Sequence, residues 1–159
     1  MVQLAGNITM NVVQRMIINR ETKTMKRAVI LAFLLVFSEV SIASTITVVI
    51  NGVDVNKGNI RIGLFDNPKE FPLGEPKMGQ TMASSHPSLK VHFVNLPHGN
   101  YAVAVFQDAN LNGMLDKNFL GIPKENYGFS GKKTFGQPDF VDAVFTLQTD
   151  EQEILIDID

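Results

Sequence analysis

The sequence predicts an all-β domain: a single antiparallel β-sandwich of Greek-key, prealbumin-like type, with a small closed β-barrel as the alternative. Three observations point there. Apolar and polar residues alternate with a period of two in six short runs, those runs are rich in β-branched and aromatic residues, and Gly, Pro, Asn and Asp separate them. Past residue 43 no apolar repeat of helical period is long enough to compete. Antiparallel strands with one apolar face bury it by stacking two sheets.

Taken in order, TITVVI (45–50) sets Ile46, Val48 and Ile50 on one side, and NIRIGLF (59–65) does the same with Ile60, Ile62 and Leu64. NGVDVNKGN between them is turn-forming. The segment 66–87 carries four prolines and reads as a surface excursion. LKVHFV (89–94) places Leu89, Val91 and Phe93 together, with His92 on the other face. YAVAVF (101–106) sets Tyr101, Val103 and Val105 against Ala102, Ala104 and Phe106. FVDAVFTL (140–147) and EILIDI (153–158) complete the six strands, with room for a seventh.

Ahead of these strands, MKRAVILAFLLVFSEVSIAS begins at Met25 with Lys26 and Arg27 before an apolar run, and ends in small residues. Ser41 and Ala43 occupy the −3 and −1 places of a signal-peptidase cut before Ser44, so residues 25–43 are expected to be a signal peptide. A permanent span needs about 20 mostly apolar residues, and Ser38 and Glu39 interrupt this run. Residues 1–24 fit an upstream extension from a misassigned start. The expected mature domain is 44–159, periplasmic or secreted. It has no cysteine for a lipid anchor or a disulfide. Nine basic against fourteen acidic residues give that domain a net charge of −5, which argues against nucleic acid as a partner.

The stretch DANLNGMLD (108–116) follows the spacing of an EF-hand calcium loop. Oxygen ligands are wanted at positions 1, 3, 5, 7 and 9 with Gly at 6, and these fall on Asp108, Asn110, Asn112, the Met114 carbonyl, Asp116 and Gly113. Position 12, normally a bidentate Glu, is Phe119. A carboxylate from outside the loop must close the site, and Glu125 is the candidate. Calcium is therefore the expected cofactor, at the roughly 10⁻⁴–10⁻³ M affinity of extracellular modules. The competing reading is a metal-free polar turn, with Asp and Asn side chains bonding the main chain and Gly113 at positive φ.

Residues 121–140 read as a long glycine- and proline-containing loop with Tyr127, Phe129, Phe135 and Phe140. Those four rings are the candidate ligand-binding residues for a small molecule, glycan or protein; the alternative is that they fold back to close one end of the sandwich. His86, His92 and His98 show no zinc spacing. No nucleophile with a base is recognisable; Glu125 and Asp139 are the one carboxylate pair that an enzyme reading can use.

The Gly-x-Tyr-Ala strand at 99–102, the Asp-x-Asn-x-Asn-Gly-x-x-Asp loop at 108–116, and the segments GIPKENYGFS and FGQPDF occur together and in order. In these the chain resembles a bacterial family of exported domains of unknown function, family 2141. The resemblance runs over the whole mature chain and implies no activity. A Gly-x-Tyr strand entering an acidic loop also looks like prealbumin-like modules of bacterial surface proteins, which supports only the sandwich. The expected function is a non-enzymatic binding or structural module of the cell envelope. The alternative is a hydrolase acting on an envelope polymer through 121–140. A purely structural subunit predicts an exposed apolar patch or an unpaired edge strand.

Overall fold

The alternation in TITVVI becomes β1, Ser44–Asn51, in which Ile46, Val48 and Ile50 are fully buried. In the computed structural model, residues 43–132 and 136–159 are described. The expected upstream extension, the signal segment through residue 42, and Phe135 lie outside the described residues. NIRIGLF forms β2, Asn59–Phe65, and Met78–Ala83 forms β3. Ser88–Leu96 is β4, Gly99–Asp108 is β5, Tyr127–Phe129 is β6, Phe145–Leu147 is β7 and Glu151–Asp157 is β8.

Two sheets result, ordered β4-β1-β8 and β3-β2-β5-β6, with β7 also pairing β5. They stack as a sandwich and do not close into the alternative barrel. The pairs β1–β4 and β2–β5 join strands that are not consecutive, as Greek-key connections do. One pair departs from the antiparallel expectation: β8 runs parallel to β1, from Thr45 opposite Glu151 to Asn51 opposite Asp157. The inner faces meet in one cluster that includes Ile46, Ile50, Leu64, Phe93, Tyr101 and Val103.

Three elements differ from the sequence expectation. The surface excursion 66–87 contains β3, whose Met78 and Met82 pack against the core while Gly79 and Thr81 face out. Its alternation is hidden because Gly and Thr offer little polar contrast. The loop 121–140 is interrupted by β6, a three-residue strand paired with Ala104–Phe106. FVDAVFTL is split: Phe140–Ala143 is a one-turn helix, α1, and only Phe145–Leu147 is strand. In α1 the i, i+3 pair Phe140 and Ala143 shares the inward face and Val141 points to solvent, whereas period-two alternation would have placed Val141 with Ala143 and Phe140 opposite them.

Buried polar side chains tie the strand ends. Tyr101 Oη donates to Pro97 O (2.9 Å), fixing the β4–β5 corner in the manner of a tyrosine corner. Gln107 accepts from Asp54 N–H (3.0 Å) and donates to Asp54 O (2.7 Å) and Lys57 O (2.6 Å), clamping the β1–β2 turn. Ser130, just past β6, accepts from Val103 N–H (2.8 Å) and donates to Ala143 O (2.7 Å). It thereby holds α1 against β5.

Candidate functional site

The outer face of the larger sheet is built in cross-strand rows, because paired residues point the same way. Register aligns Thr81, Arg61, Phe106 and Tyr127 in one row and Gly79, Gly63, Ala104 and Phe129 in the next. Three neighbouring positions of the second row carry no side chain beyond a methyl, so the sheet surface sinks there. The ring of Phe65 and Pro76 lean into the space left by Gly63, where a Cβ would stand 2.8 Å and 3.2 Å from them. Segments 66–77 and 109–126 rise on either side.

A groove of about 900 Å³ lies over this depression. Its rim is apolar and wet: Leu73, Met114, Leu120 and Ile122 are each more than half exposed. The tip that carries Leu120 and Ile122 is a built turn. Asn118 Oδ1 accepts both of their N–H groups (2.9 and 3.0 Å), and Lys117 bridges to Pro123 beneath it. Phe71 packs edge-on against Phe65, Phe129 and Phe140 at 5.4–5.8 Å, in a second apolar cluster that shares Phe65, Ala104 and Phe129 with the groove lining.

Of the candidate ligand-binding rings, Tyr127 and Phe129 line the groove, 5.7 Å apart. Phe140 does not: it packs with Phe71 in the second cluster, on the outward positions Phe65, Ala102 and Ala104 of the larger sheet. Phe135 is outside the described residues.

The loop after β5 forms one wall, and its polar residues are bound to one another. Asp108, fully buried, accepts from Arg61 Nε (2.7 Å), Gly113 N–H (3.0 Å) and Asn112 N–H (3.0 Å). Asn110 and Asn112 Oδ1 accept the N–H groups of Asn112 (3.1 Å) and Met114 (2.8 Å), and their amides donate to Asp116 at 2.7 and 3.1 Å. Gly113 takes the expected positive φ, +85°, and Leu111 a second one at +63°. Glu125 reaches the loop from outside it and binds main-chain N–H groups. Its two oxygens accept Ala109 N–H and Asp116 N–H, both at 2.9 Å.

Burial alone would raise the pKa of Asp108. The Arg61 hydrogen bond, the Gly113 N–H, the Arg61 charge and the Asn112 N–H outweigh it, and the carboxyl stays below its ordinary value. Each carboxylate that calcium would need already accepts hydrogen bonds from protein donors. An ion would have to displace Arg61 or the asparagine amides. Among the described residues no group of three or more His, Cys, Asp or Glu is placed to hold a metal.

Among the described residues no Asp or Glu lines the groove, and Asp139 is exposed at the start of α1. Sequence reasoning missed Arg61, the lone arginine of residues 44–159, and missed the row Gly79–Gly63–Ala104. The lone arginine is visible in the sequence, but its pairing with a loop 47 positions away and the row both exist only through register.

Fold and site define the class: a β-sandwich domain with an apolar groove on the outer face of one sheet. Residues 48–155 match the family described as "Uncharacterized protein conserved in bacteria (DUF2141)", and the chain belongs to that family. No curated protein and no solved structure matches it. Among the described residues no helix is long and apolar enough to cross a membrane.

Proposed function

We propose that this is an exported, non-enzymatic binding domain of the cell envelope, periplasmic or secreted, whose groove takes a small apolar ligand. The groove carries this reading: an apolar, half-open depression with a few polar groups is what ligand sites are made of. Export is supported by the signal-like segment 25–43. The hydrolase reading is weaker, since neither Glu125 nor Asp139 lines the groove.

Gly79→Leu tests the site without straining the fold. A Cβ at this exposed position meets only Pro76 Cγ at 3.6 Å and Ile62 O at 3.9 Å, so the leucine fits the backbone and projects into the groove. Wild-type protein should bind the neutral apolar dye N-phenyl-1-naphthylamine saturably. The variant should bind it at least about tenfold more weakly with an unchanged or higher Tm, since leucine suits a strand better than glycine. Undiminished dye binding by the variant, or none by the wild type, overturns the reading.

Calcium at the 108–116 loop is a second reading, favoured by oxygen at positions 1, 3, 5 and 9. Asp108 is paired with Arg61, while Asp116 and Glu125 accept only from asparagine amides and main-chain N–H groups. If it holds, Tm rises with added calcium and does not with magnesium. A flat Tm up to several millimolar calcium leaves the loop as a polar turn.

A further inference from the structure

Resting on the groove-binding reading, we infer that the ligand is an amphiphile with one negative charge, a long-chain carboxylate, its chain in the groove and its head at Arg61 and Lys117. The groove contains two cationic side chains and, among the described residues, no anionic one, in a domain whose net charge is −5. That local sign reversal marks the head-group end.

Arg61 is held in place for this role. Its Nε is committed to Asp108, while Nη1 and Nη2 make no hydrogen bond among the described residues. The side chain is 37% exposed, against 0% for Asp108. The guanidinium lies close over Gly113, which has no side chain to obstruct it: a Cβ there would lie 3.3 Å from Nη2 and 4.0 Å from Nη1. A guanidinium fixed by one edge offers its remaining N–H groups as a planar fork, the shape that a carboxylate accepts. Lys117 forms no ion pair among the described residues.

The head group is selected by shape and by what lies behind it: the free edge of Arg61 suits a carboxylate, and further negative charge would be repelled by Asp108, which already holds that guanidinium. The chain is selected by the rim. Leu73, Met114, Leu120 and Ile122 hold apolar surface in water, and a methylene chain laid among them removes it at about 25 cal/mol per Å². Phe106, Tyr127 and Phe129 provide the flat inner contact.

The test displaces N-phenyl-1-naphthylamine from the full chain with dodecanoate, dodecanol and dodecylamine, all below their micelle concentrations. Dodecanoate should compete at least about tenfold better than dodecanol, and dodecylamine worst, as a charge-assisted hydrogen bond requires. In Lys117→Gln, whose side chain is exposed and unpaired, the preference for carboxylate over alcohol should fall severalfold while dodecanol is unaffected. Equal competition by all three amphiphiles, or a preference that Lys117→Gln leaves intact, overturns the head-group assignment and leaves groove binding standing. Failure of every amphiphile to displace a dye that Gly79→Leu excludes overturns the ligand class alone. Absence of dye binding overturns both.

Discussion

Replacing Arg61 with glutamine is expected to lower stability by about 2–3 kcal/mol, less than the 3–5 kcal/mol typical of a fully buried pair because Arg61 is partly solvated. The loss does not come chiefly from the missing attraction. Asp108 is fully buried, and without the guanidinium its charge is left with only the N–H groups of Asn112 and Gly113. Urea denaturation of wild type and variant reads the difference, and a change under 0.5 kcal/mol, the scatter of ordinary surface substitutions, would show the pair to be dispensable.

The same pair sets an acid dependence. A carboxyl whose folded pKa is depressed binds protons less readily than in the unfolded chain. Its stabilisation is complete above the unfolded value near 3.9 and is lost as pH falls through the lower folded value. Asp108→Asn should therefore flatten the stability curve below about pH 4 and leave its slope between pH 5 and 8 unchanged. An unaltered acid limb would show that the carboxyl titrates at its ordinary value.

The second large effect is expected at Glu125. Truncation to alanine removes two charge-assisted hydrogen bonds to main-chain N–H groups, at a loss of roughly 2–3 kcal/mol concentrated in the loop. Glu125→Gln keeps one acceptor oxygen and should lose about half as much. Amide hydrogen exchange separates local from global consequences: Ala109 and Asp116 should exchange faster in Glu125→Ala while the β1 and β2 amides keep their protection. Uniform acceleration would instead mean that Glu125 supports the whole domain. The groove should suffer with the loop, because Met114 and Leu115, which line it, are carried by the segment that Glu125 fastens.

The role of Glu125 was legible in part. Phe119 at position 12 pointed to Glu125 as a carboxylate from outside the loop, in the role of a calcium ligand. The groups it reaches are N–H groups, which no spacing rule reveals. Tyr127 and Phe129, singled out by composition, do line the groove, yet the same argument included Phe140, which the Phe71 cluster takes into its packing. Composition identifies rings; it does not say which face of which strand they stand on. Arg61 escaped because its partner Asp108 lies 47 positions away.

What the sequence determined by itself is what a strand records locally. Period-two alternation marked six segments that contain strand, because successive side chains point to opposite faces wherever a chain is extended in a sheet. Charge, turn residues and the polar loop at 108–116 were likewise local. The tertiary structure decided everything that depends on register. Gly79, Gly63 and Ala104 become one floor only when β3, β2 and β5 pair in the observed alignment, and a shift of one residue would turn each strand's side chains to the other face. Phe140–Ala143 became helix for a related reason: the i, i+3 pair Phe140 and Ala143 packs into the second cluster, whereas an extended chain would turn the two to opposite faces.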